Sequence, residues 1–292
     1  MPVILGEVSI LTTPLSGVRI CALVSGCLTF SLVASGNLLE KAHLTPFGTF
    51  GTFCMFTWCF FFTLSLLILA ITYIQFHSLL PLSWKNLTVT VSALATLMVF
   101  TASLAFPCLV LGKDEAKEPR AVAATVFSSL TFLAYTTETY LTRREQEQRG
   151  YMASIPGLLK VLQVFGSSMA LLLVKYQAVH GSPGGRVWGS GVIYGICLVA
   201  SLGTVVVMVG DCAGRCPLPF GRVLAALSVL GVLLYMVAAV MSSTAALIPQ
   251  SAKKPEENLI IIIILEMSFA CTTLLAYTVD LAFSVKLLCD RN

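Results

Sequence analysis

The chain has 292 residues, of which 57% are hydrophobic and 11% charged, and its formal net charge is +4. With a mean hydropathy of +0.90, it carries too little polar surface for a water-soluble globule of this size. Composition therefore excludes a soluble enzyme, makes nucleic acid an unexpected partner, and predicts an integral membrane protein.

Eight apolar stretches are long enough to cross a bilayer, because a core about 30 Å thick takes roughly 20 helical residues at about 1.5 Å each. None has the ten-residue alternation of barrel strands. In chain order, the predicted spans are about Ile20 to Leu39, Phe53 to Ile74, Leu87 to Leu111, Ala121 to Tyr140, Pro156 to Val174, Trp188 to Val209, Val223 to Ile248, and Leu259 to Ala282. We therefore predict an all-α integral membrane protein with eight transmembrane helices, the first kept as an anchor and not cleaved as a signal peptide.

Two matching heptapeptides indicate an internal duplication. Phe132-Leu-Ala-Tyr-Thr-Thr-Glu138 and Leu274-Leu-Ala-Tyr-Thr-Val-Asp280 lie 142 residues apart, each near the end of an apolar stretch. Pro81-Leu-Ser-Trp84 and Pro217-Leu-Pro-Phe220 precede the third and seventh spans at an offset of 136. The offsets differ because loops tolerate insertions. Four helices per half predicts two parallel repeats, since an even number of spans returns the chain to the same side.

This duplication sets the expected domain boundaries. Residues 1–18 form a short N-terminal segment, 19–145 the first four-helix repeat, 146–288 the second, and 289–292 a C-terminal tail. Seven arginines lie on the side of the termini, against only Arg120 and Arg186 on the other side. Since positively charged residues concentrate in cytoplasmic loops, we expect both termini in the cytoplasm.

Four charged residues at the ends of the predicted spans suggest one ion pair in each half. Arg19 opens the first span and Glu138 ends the fourth, while Lys160 and Asp280 take the same places in the second half. All four lie at a similar, shallow depth near the presumed cytoplasmic face. We expect them to fix the packing of the helices, by pairing or by reaching the interface, and not to serve transport.

Glu266 lies deeper, about eight residues into the eighth span. Acids at this depth are candidate functional residues by default. The carboxyl is either protonated or hydrogen-bonded to a hydroxyl on its own helix, such as Thr272 or one near Tyr277, or it belongs to a polar seam that continues to Asp280. The residue at the same offset in the first half is Ala124, so this acid belongs to one half only.

Ten cysteines are present, and most of them lie inside predicted spans, where a free thiol packs as a small apolar group. Cys212, Cys216 and Cys289 flank spans on the presumed cytoplasmic side and are candidates for reversible acylation. A disulfide between Cys54 and Cys108, near the outer ends of two spans, is left open.

The sequence has no histidine cluster, phosphate-binding glycine loop or nucleophile elbow. We therefore expect no catalytic, cofactor-binding or metal-binding residues.

Five segments give the chain a family resemblance. They are Phe56-Thr-Trp-Cys59, Pro81-Leu-Ser-Trp84, Gly150-Tyr-Met-Ala-Ser-Ile-Pro-Gly-Leu-Leu-Lys160 and the two heptapeptides. With them, each half resembles a MARVEL domain, a four-helix membrane module, and the chain resembles the myeloid-associated differentiation marker family. The resemblance implies eight helices, cytoplasmic termini and no enzymatic activity. One departure is the last outer loop, 249–258, which is short and lacks cysteine.

Two functional hypotheses follow. By the resemblance, the protein organises plasma-membrane domains, with a part in raft-like lipid order, membrane apposition, cell spreading or junctional barriers. Its expected partners are membrane lipids, including cholesterol-rich domains, other membrane or cortical proteins, and further copies of itself. The alternative is a transporter or channel for protons or small solutes that uses a polar seam around Glu266. Unbroken predicted helices favour the first hypothesis.

Overall fold

The computed structural model describes residues 13–35, 48–75, 82–110, 118–146, 151–180, 184–210, 220–247 and 257–289. Within these ranges the chain is helical apart from a few residues at the ends of helices. The long helices are α1 Pro14–Ser35, α2 Gly48–Tyr73, α3 Trp84–Ala105, α4 Pro119–Gln146, α5 Ile155–His180, α6 Gly185–Val209, α7 Phe220–Leu247 and α8 Glu257–Cys289. The prediction of eight long helices is confirmed for the described part of the chain.

Seven of these helices, all except α4, are long and apolar enough to cross a membrane. The fourth helix is less apolar because it contains eight serine and threonine residues besides its charged ends. Its 28 residues still span about 42 Å. Several hydroxyls bond back to the carbonyl four residues earlier, as Thr125 does to Ala121 and Thr136 to Phe132. Such bonds satisfy a hydroxyl within its own helix and make it compatible with an apolar environment.

Helix ends differ from the hydropathy boundaries in a consistent direction. The first helix begins at Pro14, six residues before the predicted start. Thr13 caps it, since its Oγ1 accepts a hydrogen bond from the Ser16 backbone N–H at 3.2 Å, and proline is favoured in the first helical position. Arg19 therefore lies in the second turn of α1 and not at its start. Polar residues at the ends of these helices hide their true length from a hydropathy criterion.

The end of α3 widens into a π-helix, Phe106–Val110. Pro107 lies within it and has no N–H to donate to the helical hydrogen-bond ladder. The same region was considered for a Cys54–Cys108 disulfide. Both thiols are free; Cys54 is buried and Cys108 is exposed. That disulfide is not formed.

The chain divides into two compact units, Met1–Ala153 and Ser154–Asn292. In the first unit, α1 packs against α2 and α4, and α3 also packs against α2 and α4. The short 3₁₀ helix Tyr151–Ala153 contacts α3, where the Asn86 side-chain oxygen accepts a hydrogen bond from the Met152 N–H at 3.3 Å. Asn86 is buried in this contact.

In the second unit, α5 packs against α6 and α8, and α7 also packs against α6 and α8. The interior of this bundle contains a row of three tyrosines, Tyr194, Tyr235 and Tyr277, with ring centroids 5.5 and 5.4 Å apart. Helices α7 and α8 come close where Gly231 leaves room for the ring of Tyr277. Small residues allow such close approach between membrane helices.

Candidate functional site

The first unit holds a buried ion pair between its first and fourth helices. Arg19 Nε on α1 donates to Glu138 Oε1 on α4 at 2.7 Å, and the two residues are 4% and 3% exposed. The other carboxylate oxygen, Oε2, has no hydrogen-bond donor among the described residues. A buried charge without its partner is costly, so this pair ties α1 to α4 in one register.

The second unit places Lys160 on α5 against Asp280 on α8, with Nζ 2.5 Å from Oδ2. The same oxygen accepts hydrogen bonds from Ser228 on α7 at 2.5 Å and from Gln163 on α5 at 3.2 Å. Lys160 Nζ also lies 3.4 Å from the Ser228 hydroxyl. Three helices therefore meet at Asp280, which is fully buried.

A tyrosine three residues before each acid points into the same bundle interior. In the first unit, the Tyr135 hydroxyl bonds Ser65 at 2.8 Å and the Phe61 carbonyl at 3.1 Å. Residues three apart share a helix face, which explains why the heptapeptide carries both a tyrosine and an acid. The other two motif positions, Leu133 and Thr136, are exposed.

The second unit repeats this contact. The Tyr277 hydroxyl bonds Ser201 at 2.5 Å and the Cys197 carbonyl at 3.4 Å. The two tyrosines are 142 residues apart, while each of their partners on α6 is 136 residues after its counterpart on α2. These are the offsets found in the sequence.

Glu266 on α8 is bound by one residue from each of the other three helices of its unit. Its Oε2 accepts a hydrogen bond from the Gln177 amide on α5 at 2.6 Å. Its Oε1 accepts bonds from the Tyr194 hydroxyl on α6 at 3.1 Å and from the Ser242 hydroxyl on α7 at 2.9 Å. We call these four residues the Glu266 cluster. The carboxylate is 3% exposed.

The hydroxyls expected near this acid lie elsewhere. Thr272 is exposed and donates to the Ser268 carbonyl, because six residues at about 100° each turn it well away from Glu266. Tyr277 does share the face of the acid, but eleven residues place it about 16 Å further along the helix. The prediction of a partner on the same helix was therefore wrong, and the partners are on neighbouring helices.

Comparison with known proteins was made against families, curated sequences and solved structures. Residues 10–141 match the MARVEL membrane-associating domain. The human myeloid-associated differentiation marker is 36% identical over 244 residues, covering 82% of this chain and 73% of the relative. The chain belongs to the myeloid-associated differentiation marker family.

Other members of the family extend this match. A homolog from Xenopus laevis is 35% identical over 82% of the chain and 76% of its own length. The human myeloid-associated differentiation marker-like protein 2 is 33% identical over 94% of the chain and 92% of its own length. No solved structure matches the chain significantly. As a member of this non-enzymatic family, the protein is a multi-pass membrane protein with a MARVEL domain.

This family member has two features that the sequence reading missed. Gln177 fell outside the predicted fifth span, which stopped at Val174, whereas α5 continues to His180. Tyr194 and Ser242 were passed over as single polar residues in apolar runs. An available signal was their offset of 136 from Trp58 and Phe106, which are paired in the first unit.

The three cysteines proposed for acylation differ in how far the structure describes them. Cys289 is exposed in the last turn of α8, while Cys212 and Cys216 lie outside the described residues. Acylation at all three stays a prediction. Within the described helices, no group of three or more His, Cys, Asp or Glu side chains is arranged to hold a metal ion.

Proposed function

We propose that the chain consists of two copies of one four-helix MARVEL-like unit, residues 19–145 and 146–288, running parallel through the membrane. The support comes from contacts that recur at the sequence offsets. Each unit joins a base on its first helix to an acid on its fourth, and each binds the tyrosine before that acid to a serine and a carbonyl on its second helix. Each unit also has the same order of neighbouring helices.

In this arrangement α4 is the eighth span, and both termini lie on one side of the membrane. The distribution of arginine favours the cytoplasmic side for the termini. We place the protein in the plasma membrane on the family resemblance. Protease cleavage of the 141–150 segment in sealed, right-side-out cells tests the orientation, and cleavage from outside contradicts it.

We propose further that the protein organises the membrane around it through lateral contacts with lipids and other spans. The observation that carries this proposal is the separation of side chains in both units. In α8, for example, Glu266, Thr273 and Asp280 are buried, whereas Leu275 and Val279 are exposed. Polar and charged groups are satisfied inside each bundle, so the outer surface offers apolar contacts to ordered lipids, to membrane or cortical proteins, and to further copies of the chain.

Phase partitioning tests this function. The full chain, fluorescently tagged, is expressed in cells from which giant plasma-membrane vesicles with coexisting ordered and disordered phases are prepared. We expect enrichment in the ordered phase. In liposomes containing cholesterol, reconstituted protein should also raise lipid order, reported by a polarity-sensitive dye, above that of protein-free liposomes. Exclusion from the ordered phase together with unchanged lipid order contradicts the proposal.

Transport is the outcome that would replace it. The same liposomes are assayed for proton and small-solute flux with the wild-type chain and with Glu266→Gln, which keeps the size of the side chain and removes its charge. For a membrane organiser, flux through both should equal that of protein-free liposomes. Wild-type flux that Glu266→Gln abolishes would favour a transporter.

A further inference from the structure

Three buried acids lie within the described helices, and they are neutralised differently. Glu138 contacts Arg19, and Asp280 contacts Lys160. Glu266 forms neither of the two ion pairs found among the described residues, and all three of its hydrogen bonds come from neutral groups. An isolated charge at membrane depth costs several kcal/mol or more, so it needs a counter-charge or must be neutralised.

Charged side chains on the adjacent helices do not supply this counter-charge. On α5, Lys175 and His180 are exposed, and on α6 Arg186 is exposed. The titratable groups close to the carboxylate are the Tyr194 hydroxyl, which donates to it, and Cys271, which lies on its own helix and is exposed. Among described side chains, the Glu266 cluster therefore contains one potential negative charge and no positive one.

The first unit shows that this corner of a bundle can be packed without polar groups. At the offsets of the proposed duplication, Tyr194, Ser242 and Glu266 correspond to Trp58, Phe106 and Ala124. Trp58 and Phe106 pack edge to face with centroids 5.5 Å apart, and Ala124 is fully buried. Replacing a buried polar network by well-packed apolar groups is often neutral or stabilising. The Glu266 cluster is thus not a requirement of the four-helix packing.

The chemistry of the cluster suits a small cation. A carboxylate, two hydroxyls and an amide converge from four helices, and the amide presents either its nitrogen or its oxygen after a half-turn. Hard cations prefer such all-oxygen surroundings. One carboxylate neutralises a single positive charge, whereas a divalent ion would leave net charge buried. The partners lie 2.6–3.1 Å from the carboxylate, a compact set that favours Na⁺ over the larger K⁺.

We propose that Glu266, Gln177, Tyr194 and Ser242 form a binding site for one Na⁺ ion. Gln177 lies one turn before the end of α5, and Ser242 is five residues before the end of α7, so the site is near one end of the bundle. An ion there reaches water without crossing the whole membrane. The site goes beyond the proposed function, since a membrane organiser can bind Na⁺ without moving it.

Carbodiimide labelling tests the site directly. Dicyclohexylcarbodiimide reacts with protonated carboxyl groups in apolar surroundings, and mass spectrometry of the full chain in lipid nanodiscs locates each adduct. Bound Na⁺ should protect Glu266. At a Na⁺ concentration about ten times the dissociation constant, mass action leaves roughly a tenth of sites free, so labelling should slow about tenfold. An equal concentration of K⁺ or choline should protect far less. Glu138 and Asp280, already paired with bases, serve as internal controls whose labelling should not respond to Na⁺.

Thermal stability gives a second readout that does not require reaction at the acid. The melting temperature of the full chain should rise when Na⁺ replaces choline, and this rise should vanish in Glu266→Gln. A second variant copies the first unit through Tyr194→Trp, Ser242→Phe and Glu266→Ala, and it should also lose the response. The matched control Glu138→Gln should keep it. These comparisons use the Na⁺-dependent difference, so a general loss of stability does not imitate the result.

Several outcomes would overturn the site. They are labelling of Glu266 that Na⁺ does not slow, equal protection by K⁺, and a Na⁺-dependent melting shift that survives Glu266→Gln. The first means that the carboxyl takes up a proton only. Because neither measurement involves lipid order, failure here leaves the phase-partitioning result unaffected, and failure of that result leaves the Na⁺ measurements interpretable.

Discussion

The two units solve the same problem with different bases. In the first, Arg19 on α1 contacts Glu138 directly, and the residue corresponding to Gln163 is the apolar Ala22. In the second, Lys160 is joined at Asp280 by Gln163 and Ser228. A guanidinium carries five donors in a planar fork, whereas an ammonium is a compact point charge with three. The comparison teaches that a lysine at this position recruits neutral donors where an arginine does not.

A second difference concerns the opposite part of each bundle. The first unit fills it with Trp58, Phe106 and Ala124, and the second with the Glu266 cluster. The ion pair and the bonded tyrosine are common to both units and therefore form the framework. The Glu266 cluster is an addition to that framework, which is why it is the better candidate for a function of its own.

Removing an acid from either ion pair should produce the largest loss of stability. Breaking a buried pair by deleting one partner costs about 3–5 kcal/mol. We expect Glu138→Ala to lie at the upper end of this range, because Arg19 stays charged, and Asp280→Ala at the lower end, because a buried lysine can release its proton. Reversible unfolding of the full chain in detergent micelles measures both values.

Double variants are the control for this ranking. Arg19→Ala with Glu138→Ala should cost less than the sum of the single changes, and the same should hold for Lys160→Ala with Asp280→Ala. Additive losses would show that the pairs are not energetically coupled. A greater loss for Asp280→Ala than for Glu138→Ala would mean that the neutral donors around Asp280 matter more than the identity of the base.

The close approach of α7 and α8 should give the next largest effect. Gly231→Ala introduces the residue that the first unit has at the same offset, Ala95, yet its Cβ would collide with the ring of Tyr277. That ring is held by its bond to Ser201 and by Tyr235, so it cannot move away easily. We expect a loss of about 1–3 kcal/mol in the free energy of unfolding.

Gly203→Ala is the matched control, since no atom lies within 4 Å of a Cβ built at this exposed position on α6. Alanine is the better helix former by about 0.5–1 kcal/mol, so this change should be neutral or slightly stabilising. Equal effects at Gly231 and Gly203 would contradict the close packing of α7 on α8.

Removing the tyrosine hydroxyls should have a smaller effect, and a similar one in the two units. Tyr135→Phe leaves Ser65 without this partner, and Tyr277→Phe does the same to Ser201. An average hydrogen bond contributes about 1 kcal/mol, and burying an unsatisfied group costs about 1–3 kcal/mol. We expect each change to cost about 1–2 kcal/mol in the same unfolding assay. A loss confined to one unit would argue against a shared framework.

Residues that act through depth were predictable from the sequence. Arg19, Glu138, Lys160 and Asp280 stood out because each interrupts an apolar run at a similar height, and their matching offsets suggested the pairing. The start of α1 was also legible, because Thr13 followed by proline is a helix-start signal. Hydropathy missed it because the first turns of the helix are polar.

The partners of Glu266 were less accessible to this reasoning. Hydropathy gives the depth of a residue but not the direction it faces, and the three donors come from three other helices. Their convergence depends on how four helices rotate against one another. The offsets between the two halves were informative here, since they align Tyr194 with Trp58 and Ser242 with Phe106, two residues that contact each other.

The smallest effect is expected at the exposed leucine of each heptapeptide. Leu133 and Leu275 are 57% and 65% exposed on the outer surface of their bundles, although they belong to the repeated motif. Truncating a side chain that contacts lipid in the folded state, and would contact lipid in separated helices as well, changes little. Leu133→Ala and Leu275→Ala should each alter the free energy of unfolding by no more than about 0.5 kcal/mol. A larger loss at either position would mean that this surface packs against another protein chain, so that repetition of the leucine reflects an interface and not only the common origin of the two halves.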